Sequence, residues 1–431
     1  MKKLLITHAT LISVDPDRRQ IEKDTDILIE DGKITEIGSD IVSKNAKKIN
    51  AEGKIVIPGL INTHTHASMS LFKETCDGLK LQDWLNDFIY PIEDKMKDED
   101  FYNFALLNFI ESLKAGVTTI NDMYFNTKHI VKAKKKALID GVTTVTLMDI
   151  DGSDKGQQRI DNYLEFIKQF PDEKTSISIH GLYTASPEYL KKVVKLSEKI
   201  NNNLFHIHFC ENSQEVLDIN KKHNVKNPSE ALVKYFKGIK PKLILAHCVK
   251  LSQVDVLNLK KLNASIAHCP VSNAKLGCGI ADLKTISANG INITLGTDGE
   301  GSGCNASILD AAKLACLLPK AVNEDPMLFS AYEGLQMATI NGARALGLED
   351  SKGTVSVGKD ADIVIVNPKS AQLFPVNHLI ADIINNATAH DIETVIVNGH
   401  IAIKKGKHTQ VNKKKLYKKC SKSIEKLFKT N

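Results

Sequence analysis

Residues 55–66 read Ile-Val-Ile-Pro-Gly-Leu-Ile-Asn-Thr-His-Thr-His, a short apolar run that ends in two histidines. Because side chains alternate between the faces of a strand, His64 and His66 lie on the same face. Both imidazoles can then reach one ion at about 2.0–2.1 Å, the usual zinc to nitrogen distance. The stretch therefore predicts a buried strand that ends in a metal site. The alternative is a pair of polar loop histidines.

Short apolar runs alternate with segments of helical length through the middle of the chain, for example at residues 101–114, 187–199 and 252–262. This alternation predicts parallel strands joined by crossover helices. Eight such units predict a (β/α)8 TIM barrel. The strand candidates are residues 54–64, 117–124, 143–150, 175–183, 204–211, 242–249, 264–271 and 291–298.

Both ends of the chain alternate apolar and polar residues in the manner of strands. Asp31-Gly32 and Asn398-Gly399 stand between such runs and predict hairpin turns. The two ends are expected to pair as one small discontinuous β-sandwich domain beside the barrel. The predicted boundaries are 1–57 for its N-terminal part, 58–357 for the barrel, and 358–431 for its C-terminal part with a basic helical tail.

The composition is that of an ordinary globular protein, with 431 residues, 42% hydrophobic and 25% charged. No apolar run approaches the roughly 20 residues that span a bilayer. The eight cysteines form no Cys-x-x-Cys pair, which favours reduced thiols and a cytoplasmic location. The net charge of +6 comes partly from the Lys-rich tail at 412–431, which lacks interleaved aromatics and is predicted to be a solvated helix.

Polar residues stand at the carboxyl ends of the predicted strands, and these ends converge on one face of a barrel. They are His64, His66, His180, His206, His208, Glu211, His247, His268 and Asp298. Glu211 follows His208 where the chain leaves the strand, whereas His206 lies one layer deeper and is expected to be a hydrogen-bonded core residue. Asp298 would be costly to bury without a cation. His247 is either structural or a contact of the reacting water.

Six stretches of the sequence, distributed over most of the chain, resemble motifs of one known family. They are Pro58-Gly-Leu-Ile-Asn-Thr-His-Thr-His66, His208-Phe-Cys-Glu211, Ala246-His-Cys248, Ala267-His-Cys-Pro-Val-Ser-Asn273, Leu295-Gly-Thr-Asp298 and Val357-Gly-Lys-Asp-Ala-Asp362. In this order they resemble the amidohydrolase superfamily, particularly its branch of methylthioadenosine and S-adenosylhomocysteine deaminases and related chlorohydrolases.

The resemblance implies one divalent metal ion and no bridging carboxylated lysine. The implied ligands are His64, His66, His208 and Asp298. Zinc is the expected metal, and iron, manganese and nickel suit the same donors. The ion activates water, Asp298 accepts the water proton, and His247 holds the water in line. Glu211 protonates the ring nitrogen beside the attacked carbon, and ammonia leaves.

The resemblance also implies a substrate of the adenine nucleoside class. Glu93 is suited to accept both ribose hydroxyl protons, and His180 matches a histidine that contacts the substrate. Trp84 is either a substrate contact or a packing residue. Relatives that take S-adenosylhomocysteine present two arginines to its carboxylate. Here Arg159 fits the second, or is a surface residue, and Leu147 stands in the place of the first.

We therefore expect a neutral 5′-substituent, as in methylthioadenosine, 5′-deoxyadenosine or adenosine, although S-adenosylhomocysteine stays in the candidate set. Glu300 departs from the family pattern after Asp298 and predicts an altered pocket for the leaving group. The alternatives are a deaminase or chlorohydrolase of guanine, cytosine or a triazine, and a non-catalytic barrel scaffold. The expected partners are a small-molecule substrate and copies of the same chain in a homo-oligomer, with no nucleic acid and no membrane.

Overall fold

A computed structural model describes residues 3–75 and 78–428. The described strands are β1 Lys3–Leu11, β2 Glu22–Glu30, β3 Lys33–Gly38, β4 Lys47–Asn50, β5 Ile55–Pro58, β6 Leu60–Thr65, β7 Val117–Tyr124, β8 Asp140–Leu147, β9 Ile177–Gly181, β10 Leu204–Phe209, β11 Lys242–His247, β12 Ser265–His268, β13 Asn292–Leu295, β14 Ile363–Val366, β15 Ile392–Val397, β16 His400–Lys404 and β17 Lys407–His408.

The described α-helices are α1 Leu81–Asp83, α2 Tyr90–Glu93, α3 Asp98–Lys114, α4 Thr127–Ala137, α5 Ser153–Gln169, α6 Pro187–Lys199, α7 Ser213–His223, α8 Pro228–Tyr235, α9 Gln253–Lys261, α10 Pro270–Lys275, α11 Leu283–Ala288, α12 Glu300–Gly303, α13 Ile308–Asn323, α14 Ala331–Met337, α15 Ile340–Leu346, α16 Leu379–Asn386 and α17 Lys413–Phe428. Two 3-10 turns, Ala67–Phe72 and Leu182–Thr184, and a π-helical segment, Trp84–Ile89, complete them. None of these helices combines the length and apolar character needed to cross a membrane.

The eight described strands β6 to β13 form one parallel sheet in sequence order, as the alternation of strands and helices predicts. Thr65 of β6 forms an isolated parallel bridge with Asp298, three residues after the end of β13, so the sheet nearly closes into a barrel. The backbone N–H groups of Thr297 and Asp298 both donate to the carbonyl oxygen of His64, each at 3.1 Å. The predicted (β/α)8 barrel is therefore confirmed.

The two chain ends build a second sheet of nine described strands, in the order β17-β16-β15-β14-β5-β1-β2-β3, with β4 beside β1. The antiparallel pair β5–β14 joins the N-terminal and C-terminal parts, as expected from the two β-rich flanks. Asp31-Gly32 turns β2 into β3 and Asn398-Gly399 turns β15 into β16, both as predicted. All four turn residues have positive φ, which is the conformation that tight hairpin turns require.

The strand predicted at residues 54–64 is in fact two strands in different sheets. β5 belongs to the sheet of the chain ends, β6 opens the barrel, and Gly59 stands between them. A Cβ at Gly59 would lie 2.1 Å from Oγ1 of Thr118, so only glycine allows this close approach. The apolar run Ile55–Ile61 does not reveal this switch, because it continues across Gly59 and the residues on both sides are buried.

The Lys-rich tail is the helix α17, which packs along α3. Its buried side chains recur at the helical period, at Leu416, Cys420, Ser423 and Leu427. The aromatic ring of Phe428 contacts Phe72 and Phe88, with ring centroids 6.5 and 6.1 Å away. One face of the helix is thus part of the hydrophobic core, and most of its lysines lie on the opposite face.

Lys352 joins the sheet of the chain ends to the base of the barrel. The side chain is 1% exposed, and its Nζ donates to Asp362 Oδ2 at 2.7 Å and to Asn398 Oδ1 at 2.9 Å. Asp140, at the start of β8, lies 3.0 Å from the same nitrogen. Burial alone would lower the pKa of Lys352, but Asp362 and Asp140 outweigh it and raise the pKa.

We expect Lys352→Ala to lower the free energy of unfolding by about 3–5 kcal/mol, because it leaves the buried Asp362 without its cation. Equilibrium unfolding in urea measures this change. Lys33→Ala is the matched control, since Lys33 pairs with Asp360 at 2.7 Å but is 55% exposed. It should cost about 0–1 kcal/mol. Equal losses in the two variants would contradict the role of Lys352.

Candidate metal centre and active site

Three imidazoles and one carboxylate meet at the carboxyl end of the barrel. The Nε2 atoms of His64 and His66 lie 3.2 and 3.1 Å from Oδ1 of Asp298. Nε2 of His66 lies 3.2 Å from Nε2 of His208. All four donor atoms fall within 4.8 Å of one another. The predicted set of four thus comes together from β6 and the residue after it, from β10, and from Asp298 after β13.

The second nitrogen of each imidazole is already engaged. Nδ1 of His66 donates to the carbonyl oxygen of Met123, and Nδ1 of His208 donates to that of His180, both at 2.6 Å. Nδ1 of His64 lies 2.8 Å from Nε2 of His206. These contacts leave the Nε2 lone pairs free to bind an ion when Nδ1 carries the proton. His206 is a hydrogen-bonded residue in the deeper layer, where the sequence analysis expected it.

Asp298 lies at the barrel seam, the place where β6 meets the segment after β13, and hydrogen bonds fix its carboxylate. Its φ is 62°, a left-handed conformation that is unfavourable for a residue other than glycine. Oδ2 accepts hydrogen bonds from the hydroxyl groups of Ser272 at 2.6 Å and Ser302 at 2.5 Å, so Oδ1 faces the histidines. Burial would raise the pKa of Asp298, but the hydrogen bonds with His64 and His66 outweigh it and lower the pKa well below its ordinary value.

The donor set fits a divalent cation. Four ligands about 2.0–2.1 Å from a tetrahedral zinc ion are separated by about 3.3 Å, close to the separations of 3.1 and 3.2 Å found here. Burial also lowers the pKa of His64, to about 3, which keeps its imidazole neutral as a metal ligand must be. These four residues could therefore hold one divalent ion with little rearrangement.

Three of the four donor residues, His66, His208 and Asp298, line a cavity with an empty volume of about 650 Å3. Of the residues that the sequence analysis singled out, the cavity lining contains His66, Trp84, Glu93, His180, His208, Glu211, His247 and Asp298. Its remaining lining is mostly apolar or aromatic, including Met69, Leu81, Leu85, Ile89 and Phe125.

Glu211 and His247 face each other beside the donor cluster. His247 Nδ1 donates to Oδ1 of Asn273 at 2.9 Å and lies 3.8 Å from Oε1 of Glu211. The thiol of Cys278 lies 3.7 Å from the same carboxylate oxygen. Burial raises the pKa of Glu211, so its carboxyl group holds a proton more readily than a solvated one. A buried carboxyl group and a fourth imidazole therefore lie beside the donor cluster.

Glu93 occupies another part of the cavity wall. It follows the π-helical segment Trp84–Ile89, and the hydroxyl group of Tyr124 donates to Oε1 of its carboxylate. Burial raises the pKa of Glu93 to about 7. Trp84 is 3% exposed, and its indole nitrogen has no hydrogen-bond partner among the described residues. A π-helical turn is a common feature of functional sites.

The structure does not bring Arg159 into this cavity. Its guanidinium group donates to both carboxylate oxygens of Asp151, at 2.6 and 2.7 Å, and to the carbonyl oxygen of Met148 at 3.0 Å. Leu147 is fully buried and lies outside the lining. None of the described residues that line the cavity is a lysine or an arginine. A substrate carboxylate would therefore find no lysine or arginine side chain among these described lining residues.

Glu300 also points away from the cavity. Its carboxylate accepts a hydrogen bond from Asn108 and pairs with Lys73, each at 2.6 Å. Ser302, two residues later, lines the cavity, whereas Glu300 does not. The Glu300 side chain therefore anchors the loop after β13. The altered pocket for the leaving group stays a prediction.

Several residues of the site carried no assigned role in the sequence analysis. Ser272 and Ser302 donate to Asp298, Asn273 accepts from His247, and Tyr124 donates to Glu93. Ser272 and Asn273 belong to the stretch 267–273, which was already quoted for the family resemblance. The position of this stretch at the end of a predicted strand could have indicated that both residues lie in the site. Tyr124 offered no such signal, because its partner Glu93 is 31 residues away in the sequence. Ser302 is only four residues from its partner Asp298, but its hydrogen bond depends on the turn of the chain after β13.

Comparisons with known proteins agree with this geometry. The Amidohydrolase family model matches residues 55–402. The 5′-deoxyadenosine deaminase of Methanobrevibacter smithii is 36% identical over 409 residues, which is 93% of this chain and 93% of the relative. The 5-methylthioadenosine/S-adenosylhomocysteine deaminase of Thermoanaerobacter pseudethanolicus is 37% identical over 409 residues, covering 92% and 93%. The family and branch expected from the sequence are confirmed.

A solved structure supports the fold at lower identity. The crystal structure of an adenosine deaminase from Xanthomonas campestris with bound zinc has a TM-score of 0.92. It is 24% identical and the match covers 99% of both chains. The fold of this chain is therefore that of the solved structure.

We expect His208→Ala to reduce the bound divalent metal to a small fraction of one ion per chain, because it removes one of four donors. Ser302→Ala should weaken metal affinity about 10- to 100-fold, since Ser302 orients Asp298. Elemental analysis gives the metal content, and competition with a chelator gives the affinity. His129→Ala, outside the cavity, is the control and should bind metal normally. Full metal content in His208→Ala would contradict the ligand assignment.

Proposed function

The chain belongs to the amidohydrolase family, and we propose that it is a zinc-dependent deaminase of adenine nucleosides whose 5′ position carries an uncharged group. One observation carries the proposal: a single cavity is lined by His66, His208 and Asp298 of the four clustered donors and by two further carboxyl groups, those of Glu211 and Glu93. The relatives named for deamination of 5′-deoxyadenosine and methylthioadenosine support the reaction class.

His64, His66, His208 and Asp298 are the proposed metal ligands. When bound, the ion lowers the pKa of water to about 7 and so makes a nucleophile available at neutral pH. Asp298 accepts a proton from this water through Oδ1, while Ser272 and Ser302 hold its other oxygen. His247 keeps the attacking oxygen in line through Nε2, because Asn273 fixes its Nδ1.

Glu211 is the proposed general acid. Burial raises its pKa and so favours the protonated carboxyl group, which can donate to the ring nitrogen beside the amino-bearing carbon. Attack then forms the new C–O bond. Asp298 passes the first water proton to the amino group, which leaves as ammonia when the C–N bond breaks. The second water proton restores Glu211, so one water is consumed and an inosine analogue is formed.

Glu93, Trp84 and His180 are the proposed substrate contacts. Glu93 accepts hydrogen bonds from the two ribose hydroxyl groups, replacing its present partner Tyr124. Trp84 supplies an apolar wall and an unpaired indole N–H. Burial lowers the pKa of His180 to about 4, so its ring is neutral and can contact an uncharged group. Arg159 is left out of the proposed site.

The absence of lysine and arginine from the described cavity lining favours a neutral 5′-substituent. We expect kcat/KM for 5′-deoxyadenosine, methylthioadenosine and adenosine to exceed that for S-adenosylhomocysteine by about tenfold or more, because burying an unpaired carboxylate costs well above 1.4 kcal/mol. Ammonia release and ultraviolet absorbance measure turnover. Guanine, cytosine and a triazine complete the panel, and preferential turnover of one of these would replace the nucleoside assignment.

Glu93→Ala should raise the KM for adenosine analogues by about 10- to 100-fold with little change in kcat, since it removes hydrogen bonds to a charged acceptor. In the wild type, KM should fall as the pH rises through about 7, because Glu93 then becomes the carboxylate that accepts the ribose protons. The variant should lose this pH dependence. Asp87→Ala, an exposed carboxylate in the same segment, is the control. An unchanged KM in Glu93→Ala would remove ribose recognition from the proposal.

A further inference from the structure

The position of Glu211 in the cavity is not explained by the strand that precedes it. His206 and His208 point into the barrel from β10, and alternate residues of a strand share a face. Continuation of β10 would therefore turn residue 210 inward and residue 211 outward. Glu211 nevertheless lines the cavity. A local change in the backbone must reverse the alternation between His208 and Glu211.

That change lies at Cys210, which has a φ of 53°. A left-handed conformation is unfavourable for cysteine and persists only when the surroundings hold it. Backbone hydrogen bonds join one side of the turn to the residues that follow β11. The carbonyl oxygen of Cys210 accepts hydrogen bonds from the backbone N–H groups of Val249 at 2.9 Å and Lys250 at 2.8 Å.

Glu215 holds the other side of the turn. Its Oε1 accepts the backbone N–H of Cys210 at 3.0 Å, and its Oε2 accepts that of Glu211 at 2.7 Å. The side chain is 2% exposed and belongs to the first turn of α7. The helix is itself capped there by Asn212, whose Oδ1 accepts the N–H of Glu215 at 2.9 Å. One buried carboxylate thus binds the two consecutive amides that decide where Glu211 points.

We propose that Glu215 is a positioning residue for catalysis, which directs the Glu211 carboxyl group into the cavity by holding the left-handed turn at Cys210. The inference rests on the proposed function only in that Glu211 is taken as the proton donor. Glu215 itself does not line the cavity, so its effect on the reaction passes through Glu211. Burial raises the pKa of Glu215 to about 7, which is consistent with a carboxyl group in a water-excluded setting.

A double-mutant cycle tests the proposal on the metal-loaded enzyme. Glu215→Gln keeps one acceptor oxygen but presents an NH2 group to the second amide. We expect kcat to fall about tenfold or more with KM changed less than about twofold. Residues that act as a unit give non-additive effects. Glu211→Gln combined with Glu215→Gln should therefore be no slower than Glu211→Gln alone, and metal content should stay at the wild-type level.

Asp255→Asn is the matched control. Asp255 is also a buried carboxylate at a helix start, and it accepts the backbone N–H groups of Ser229 and Ser252, each at 2.9 Å. Neither serine lines the cavity. The control should lose stability as Glu215→Gln does but keep kcat. Wild-type kcat in Glu215→Gln, equal loss of kcat in the control, or fully multiplicative effects in the cycle would overturn the proposal.

A crystal structure of Glu215→Gln separates this inference from the proposed function. We expect the Glu211 carboxyl group to have left the cavity, and an unchanged carboxyl group would overturn the positioning role whatever the substrate is. If the wild-type enzyme deaminates no adenine nucleoside, the proposed function fails, and the crystal structure still decides the role of Glu215.

Discussion

The closure of the barrel between β6 and β13 is the interaction on which the rest of the site depends. Two consecutive amides, those of Thr297 and Asp298, donate to the single carbonyl oxygen of His64. The hydrogen bonds that close the sheet thereby place a carboxylate within 3.2 Å of two imidazoles. If this seam opened, the donor set would separate into residues on distant elements of the chain. The hydrogen bonds that close the barrel are therefore also the ones that assemble the cation site.

The same seam explains why so many polar side chains can be buried at one end of the barrel. An unpaired carboxylate or imidazole in such a setting is costly, and the cost is removed by partners rather than by solvent. Asp298 is satisfied by Ser272 and Ser302 on one oxygen and by histidines on the other. His66 and His208 use backbone carbonyl groups. Each donor is thus oriented before any ion or substrate arrives, which reduces the reorganisation that binding requires.

Three residues of the site depart from ordinary backbone geometry at the strand ends: Cys210, His247 and Asp298 all have positive φ. Such strain is commonly stored at functional positions and is offset by surrounding contacts. At Cys210 the contacts are those of Glu215 and the end of β11. At Asp298 they are the amide pair at the seam. The barrel frame therefore maintains local conformations that neither strand nor helix propensity would favour, and these conformations direct the reactive groups inward.

The sequence by itself determined the barrel and the pairing of the two chain ends, because these depend on local periodicity. It also singled out four candidate metal donors, through polar residues that follow buried strands and through the family resemblance. Only the tertiary structure decided the division of residues 54–64 between two sheets, the exclusion of Arg159 from the cavity, and the partners Ser302, Tyr124 and Glu215. The physical reason is that these features depend on contacts between distant segments or on single backbone torsions. Gly59 avoids a clash with Thr118, Arg159 is bound by Asp151, and Cys210 reverses a strand alternation, none of which leaves a periodic signal in the chain.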